Sequence, residues 1–221
     1  MRKNPFTEQD IAGKYESWYR TSGIRADEQE KALLKELIKK FPGARSILEL
    51  GCGTGHFTRW FQETCGLTAF GMDASRAMLA EAKRYGSKML IKGDADNIPL
   101  SSNAVDISAF ITTLEFLPDP EFAIKEAYRV SKKGILLGVI NKNSLLGIKY
   151  KMSGGPIWRN AHIYTIKGLR KLVRKAIGKR AKITWRTTLW SLLPGHLPLP
   201  WGGFIGMLVK WNGLERTGEN E

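Results

Sequence analysis

Acidic residues are missing from most of the second half of this chain. Residues 127–214 contain 17 lysines and arginines and no aspartate or glutamate, whereas residues 1–126 hold 17 basic and 18 acidic side chains. This span therefore carries more positive charge than the net +14 of the whole chain, the remainder being slightly acidic. Such a surface points to an anionic partner: nucleic acid, a membrane surface or an acidic substrate. Cysteine is equally scarce. Cys52 and Cys65 are the only two, and the pair has no structural-metal spacing, so no metal is expected. With no signal-peptide pattern, the expected setting is a cytosol with reduced thiols, peripheral at most to the inner membrane face. Long apolar runs are lacking except for one. No charged residue occurs from Thr187 to Val209, but three prolines and four glycines break that stretch, which argues against an ordinary membrane-spanning helix. No repeat or low-complexity tract is visible. What remains is a chain of 221 residues, 43% hydrophobic. That is long and apolar enough for one domain with a core.

What is present is organised around residues 47–57, Ile-Leu-Glu-Leu-Gly-Cys-Gly-Thr-Gly-His-Phe. An apolar strand runs into a glycine loop and then into a helix. Glycines lack a Cβ, so a ligand can approach the backbone closely, and the helix start offers free N–H groups. The spacing is Glu49-x-Gly51-x-Gly53-x-Gly55, not the G-x-G-x-x-G of dinucleotide sites. A pyrophosphate favours a helix start without nearby negative charge, whereas the Glu49 carboxylate suits a cationic ligand.

Taken in order, residues 7–20 read as a helix in which Tyr15 and Trp18 are either core-facing or part of a lid. Residues 27–41 read as a helix with acids in its first turn and lysines in its last, offering no chemistry. Strand 46–50 leads into the glycine loop and a helix to about Thr64. Strand 67–72 ends in Asp73, placed to accept hydrogen bonds from ribose hydroxyls. Ala74 and the Ser75 cap follow. Met78, in helix 76–85, is either near a bound base or in the core. Strand 88–92 ends in Gly93-Asp94-Ala95. Strand 104–111 ends at Thr112, followed by Glu115. Asp119 and Pro120 open helix 120–131, and strand 135–140 comes next. Residues 141–163 show no periodicity. Helix 165–177 has an apolar face and a basic remainder. Strands 181–190 and 203–211 close the chain, joined by the apolar stretch Leu192–Trp201.

The motif around Gly51 resembles motif I of class I S-adenosylmethionine (SAM)-dependent methyltransferases. The run Leu117-Pro118-Asp119-Pro120, an amphipathic helix, Arg129-Val130-Ser131-Lys132-Lys133-Gly134 and an apolar strand is similar to their type 11 subgroup, which includes quinone, sterol and phospholipid methylating enzymes. The resemblance is strongest over residues 45–141. It implies one α/β domain over 1–221 with a doubly wound, seven-stranded, mostly parallel sheet and helices on both faces. Residues 1–44 would supply N-terminal helices or a lid, and 142–221 the substrate-side insert, a helix and the closing strands. It implies S-adenosyl-L-methionine as cofactor. Tyr15, Glu49, Gly51, Cys52, Gly53, Asp73, Ala74, Met78, Asp94, Ala95 and Thr112 would hold it, with Asp94 receiving the adenine amino group.

A strong base is needed only for a nucleophile protonated at neutral pH. The candidates are Glu115, His162 and Tyr164, with His56 and His196 behind them. The leading expectation is methyl transfer to a small-molecule or lipid acceptor, anionic or membrane-associated. The alternatives are an RNA methyltransferase using the basic half and a nicotinamide-dependent oxidoreductase. Thr112–Leu117 lacks the Asn/Asp-Pro-Pro-Tyr pattern frequent in base methylation, and Asp94 argues against the oxidoreductase.

Overall fold

The computed structural model describes residues 16–153, 155, 158, 161–178, 181–188 and 198–211. Seven strands share one sheet: β1 (Ser46–Leu50), β2 (Thr68–Asp73), β3 (Leu90–Lys92), β4 (Val105–Ile111), β5 (Ser131–Ile140), β6 (Lys182–Thr188) and β7 (Phe204–Lys210). Their order across the sheet is β3-β2-β1-β4-β5-β7-β6. The first five pair in parallel, and β7 runs antiparallel to both of its neighbours. The order reverses between β1 and β4, and the carboxyl edge at that point is where such sheets bind ligands.

Alternation along the strands divides the core in two. Ile47, Ile107, Ala109, Leu136 and Leu208 face one side. There they meet Leu33, Leu34 and Leu37 of α1 (Ile24–Ile38) and Phe57, Trp60 and Phe61 of α2 (His56–Glu63). Leu48, Leu50, Phe110, Ile135, Leu137 and Val139 face the other. They meet Ala123, Ile124 and Ala127 of α4 (Pro120–Val130) and Leu169 and Val173 of α6 (Ile166–Ile177). α3 is Arg76–Arg84 and α5 is Leu145–Ser153. Each large side chain fully buried this way contributes about 1.5–3 kcal/mol. One close approach depends on a missing side chain: a Cβ on Gly206 of β7 would come within 2.9 Å of both Leu33 and Leu37, so α1 would be pushed off the sheet.

Local signals explain the helix ends. Ser75 Oγ accepts from Met78 N–H at 3.2 Å, Asp119 Oδ1 from Phe122 N–H at 3.0 Å, and Thr165 Oγ1 from Gly168 N–H at 2.9 Å. Gly178 ends α6 at φ 76°.

Three expectations are revised. The helix expected over 27–41 starts at Ile24 and ends at Ile38, because Lys40 and Phe41 donate back three residues in a tighter turn. Of its first-turn acids, Asp27 and Glu30 are buried and Glu28 is exposed. The strand expected over 135–140 begins at Ser131, since Ser131 and Gly134 pair with Val105 and Ile107. The featureless 141–163 segment contains α5, whose apolar residues point two ways and so mask the helical period. Tyr15, His196 and the 192–197 part of the apolar stretch lie outside the described residues.

Candidate active site

The glycine loop leaves β1 at the switch point. Gly51 and Gly53 have φ of 70° and 53°, the left-handed region that glycine enters without penalty. Gly51 is doubly constrained, because a Cβ there would lie 2.2 Å from Thr113 Cγ2. Thr113 comes from the carboxyl end of β4, and its hydroxyl donates to the carbonyls of Ile111 at 3.1 Å and Gly51 at 3.3 Å. It clamps the loop, a role with no sequence signal beyond its position beside Thr112. Thr112 itself has φ 51° and donates its N–H to Gly138 O at 2.7 Å.

Asp73 closes the loop from the β2 side. Its Oδ2 accepts from Gly53 N–H at 2.9 Å and its Oδ1 from Ser75 N–H at 2.7 Å. Burial pushes its carboxyl above the ordinary value, with these amide bonds working against that rise. Each oxygen keeps acceptor capacity for a ligand hydroxyl. Asp94, at the end of β3, is exposed, and Ala95 beside it packs against the core. Glu49 is 2% exposed and accepts from the Thr58 hydroxyl. Burial pushes its carboxyl up to about 8. Buried and bonded to Thr58 of the helix that follows the loop, it supports the loop and is not an open ligand. Cys52 is buried with its thiol pushed up by burial, and fills space. Met78 is 1% exposed and belongs to the packed interior.

The first described residues bear on the same loop. Glu16 accepts from Thr54 Oγ1 at 2.6 Å and pairs with Arg59 at 2.8 Å. Tyr19 stacks on His56 at 3.7 Å between centroids, and Arg20 lies over Tyr85. His56 Nε2 is 2.8 Å from both Asp27 Oδ1 and Lys31 Nζ. Burial alone would raise Asp27, but these two partners hold it below the usual range. His56 is thereby structural.

On the other side of the crevice stand the candidate bases. Glu115, in the 3-10 turn Leu114–Phe116, is 2% exposed. Its Oε1 accepts from Ile140 N–H at 2.8 Å; its Oε2 is buried with no hydrogen-bond partner among the described residues. Burial pushes it up to about 7. Tyr164 is buried, donates its hydroxyl to Leu114 O at 3.2 Å, and is pushed further up by burial and by Glu115, which rules against a base. His162 is exposed, donates its main-chain N–H to Glu115 O at 2.7 Å and sets its ring against Tyr164. A residue missed by sequence reasoning joins them. Glu30 of α1 is 6% exposed and pushed up to about 8, first by burial and then by the charges of Asp27 and Glu115.

A cradle that a Cβ would fill at Gly51, an aspartate at the β2 end and an exposed aspartate at the β3 end fit a nucleoside with an amino-acid tail. Gly51, Gly53 and Cys52 could hold the tail, Asp73 and Ala74 the ribose, and Asp94, Ala95 and Thr112 the base side.

Comparison with known proteins agrees with that fit. The family model Methyltransf_11, a methyltransferase domain, matches residues 48–138. The chain is 33% identical over 89 residues to the malonyl-[acyl-carrier protein] O-methyltransferase of Pectobacterium atrosepticum, covering 40% of this chain and 35% of that protein. It is 33% identical over 134 residues to the demethylmenaquinone methyltransferase of Staphylococcus saprophyticus, covering 57% of this chain and 56% of that one. The chain thus spans about a third and just over half of the length of these two relatives. A SAM-dependent methyltransferase of Thermotoga maritima, described as a possible histamine N-methyltransferase, superposes with a TM-score of 0.73 at 26% identity, covering 92% of this chain and 97% of that one. Residues 48–138 match a type 11 methyltransferase domain, and the family match, the relatives and the shared fold together support a class I SAM-dependent methyltransferase.

Proposed function

We propose that this enzyme methylates a small-molecule or lipid acceptor that enters beneath α5 while the protein rests on an anionic membrane surface. SAM supplies an electrophilic methyl group. In this reading, the residues of the glycine loop, Asp73 and Asp94 bind and orient the cofactor, and Glu115 holds the acceptor's reacting end. Positioning of the two partners carries most of the catalysis.

One observation carries the surface half of the proposal. On α5, Leu145 is 76% and Met152 83% exposed, with Ile148 exposed between them. These residues share one helical face, while Leu146 and Tyr150 turn inward to the core. Trp201, 63% exposed, sits on the neighbouring loop, which Asn141 ties to the start of α5: its Nδ2 donates to Pro200 O and Gly202 O, and its carbonyl accepts from Ser144 Oγ. Exposed Lys142, Lys149 and Lys151 surround this face. Apolar side chains ringed by lysines suit an anionic bilayer, where each basic residue near the surface contributes about 1 kcal/mol. The acids facing the crevice disfavour an anionic reacting group, so the anionic character belongs to the surface. Among the described residues no helix is long and apolar enough to cross a membrane. The name of the demethylmenaquinone relative supports an apolar acceptor.

Co-sedimentation tests the proposal. The protein is expected to bind phosphatidylglycerol-containing vesicles more strongly than neutral ones, and less at high salt. Met152→Ser with Trp201→Ser is expected to reduce vesicle binding at low salt while S-adenosylhomocysteine binding is unchanged. Binding of structured RNA with a steep salt slope, and none to vesicles, would replace the lipid reading with the RNA alternative.

A further inference from the structure

Glu30 and Glu115 reach the carboxyl edge from opposite sides of the chain's topology. Glu30 comes from α1, Glu115 from the turn after β4. Both are buried, and among the described residues neither carboxyl group has an ion-pair partner. Glu30 feels the charges of Asp27 and Glu115. The nearby cation, Lys31, is committed to Asp27 at 2.7 Å and His56 at 2.8 Å. No hydrogen bond joins Glu30 to Glu115 among the described residues, and Glu115 Oε2 has no partner. A buried acceptor left without a donor is costly, and two uncompensated buried acids more so. Their surroundings are aromatic. Tyr150, close enough to Glu30 for its hydroxyl to feel that charge, stacks on Trp158 with centroids 4.3 Å apart. Phe116, next to Glu115 in the chain, meets the same Trp158 at 5.4 Å.

A ligand that satisfies this arrangement brings N–H donors and positive charge, and presents them beside aromatic rings, which attract cations through their faces. We propose that Glu30 and Glu115, with Tyr150, Trp158 and Phe116 beside them, form a recognition site for an amine, and that the acceptor is a small molecule bearing a primary or secondary amino group. The inference rests on the reading of a small-molecule acceptor beneath α5 and names its reacting group. A carboxylate or phosphate would be repelled there, and a phenol would bring one donor and no charge. When Glu115 is ionised, an ammonium bound at the site gives its proton to Oε2. The N–H bond breaks, an O–H bond forms, and the lone pair stays on nitrogen, which then has a nucleophile's electronic form.

The test is calorimetry on the full chain saturated with S-adenosylhomocysteine, titrated with phenethylamine, phenylpropionate and ethylphenol. Phenethylamine is expected to bind and the other two not. Glu30→Gln and Glu115→Gln are each expected to weaken amine binding at least tenfold with S-adenosylhomocysteine affinity unchanged. The glutamine at 115 keeps an oxygen for Ile140 N–H, and if that variant does not fold, Glu30→Gln decides alone. Binding of the acid or the phenol in place of the amine, binding of none of the three, or amine binding equal in wild type and both variants would overturn the proposal. Vesicle binding is measured separately, so loss of amine recognition and loss of surface docking are distinct results.

Discussion

At the scale of single residues, the site depends on a few side chains that hold backbone in place as well as on those that would meet a ligand. Asp73 does both. Its two oxygens accept amide bonds from Gly53 and Ser75, and in the proposed site the same carboxylate would accept from the ribose hydroxyls. A hydrogen bond to a charged group contributes about 1.5–3 kcal/mol. Asp73→Ala is therefore expected to weaken SAM binding roughly tenfold or more, measured by calorimetry. Asp73→Asn, which keeps one acceptor oxygen, is expected to lose less. Equal affinity in wild type and Asp73→Ala would mean that the ribose is held elsewhere. Glu49 has the opposite character. Its burial and its bond to Thr58 make it a support for the loop, although its motif position alone suggests a ligand contact.

At the scale of elements, the N-terminal helical residues meet the glycine loop, and α5 follows directly on the carboxyl end of β5. The first grips the glycine loop through Glu16, whose carboxyl meets Thr54 and Arg59. Removing one partner of a buried ion pair leaves the other uncompensated and costs about 3–5 kcal/mol. Glu16→Ala is expected to lower the melting temperature and to weaken SAM binding, since Arg59 also donates to Thr54 O at 2.7 Å. Deleting residues 1–22 is expected to weaken SAM binding while the sheet stays folded, as circular dichroism would show. An insoluble truncated chain would make Trp18 and Tyr19 part of the core instead of a lid. α5 works differently: its inner residues Leu146 and Tyr150 face the core and its outer Leu145, Ile148 and Met152 are exposed, so one helix would link the surface to the proposed acceptor side.

At the scale of the whole molecule, buried acid sets the pH response. Glu30 and Glu49 are raised to about 8 and Glu115 to about 7, from an ordinary 4.5. Between those limits the folded state binds more protons than the unfolded chain, so stability falls as pH rises. The contribution is fully present below about pH 4.5 and is lost by about pH 8. The ligand-free protein is expected to melt at progressively lower temperature from pH 5 to pH 8, and Glu49→Gln is expected to flatten part of that slope. A melting temperature that climbs over the same range would show that these carboxyls are ionised and compensated in the folded state.

Periodicity and glycine spacing were enough to read the strands, most helices and the cofactor crevice, because those depend on local chemistry. Alternation sends Ile47 and Leu48 to opposite faces whatever surrounds them, and a strand that ends in Gly51 and Gly53 leaves room for a ligand. The caps at Ser75 and Asp119 act within three residues and are legible for the same reason. Long-range contacts are not written this way. Nothing near Glu30 in the chain distinguishes it from a solvent-facing helix acid; α1 crossing β7 at Gly206 is what carries it to the carboxyl edge. Likewise the clamp of Thr113 on Gly51 joins residues 62 apart, and the orphaned Glu115 oxygen exists only once Ile140 has taken the other. The local sequence determined the scaffold and its cofactor crevice, while the juxtaposition of buried acids and aromatic rings was decided by packing between elements distant in the chain.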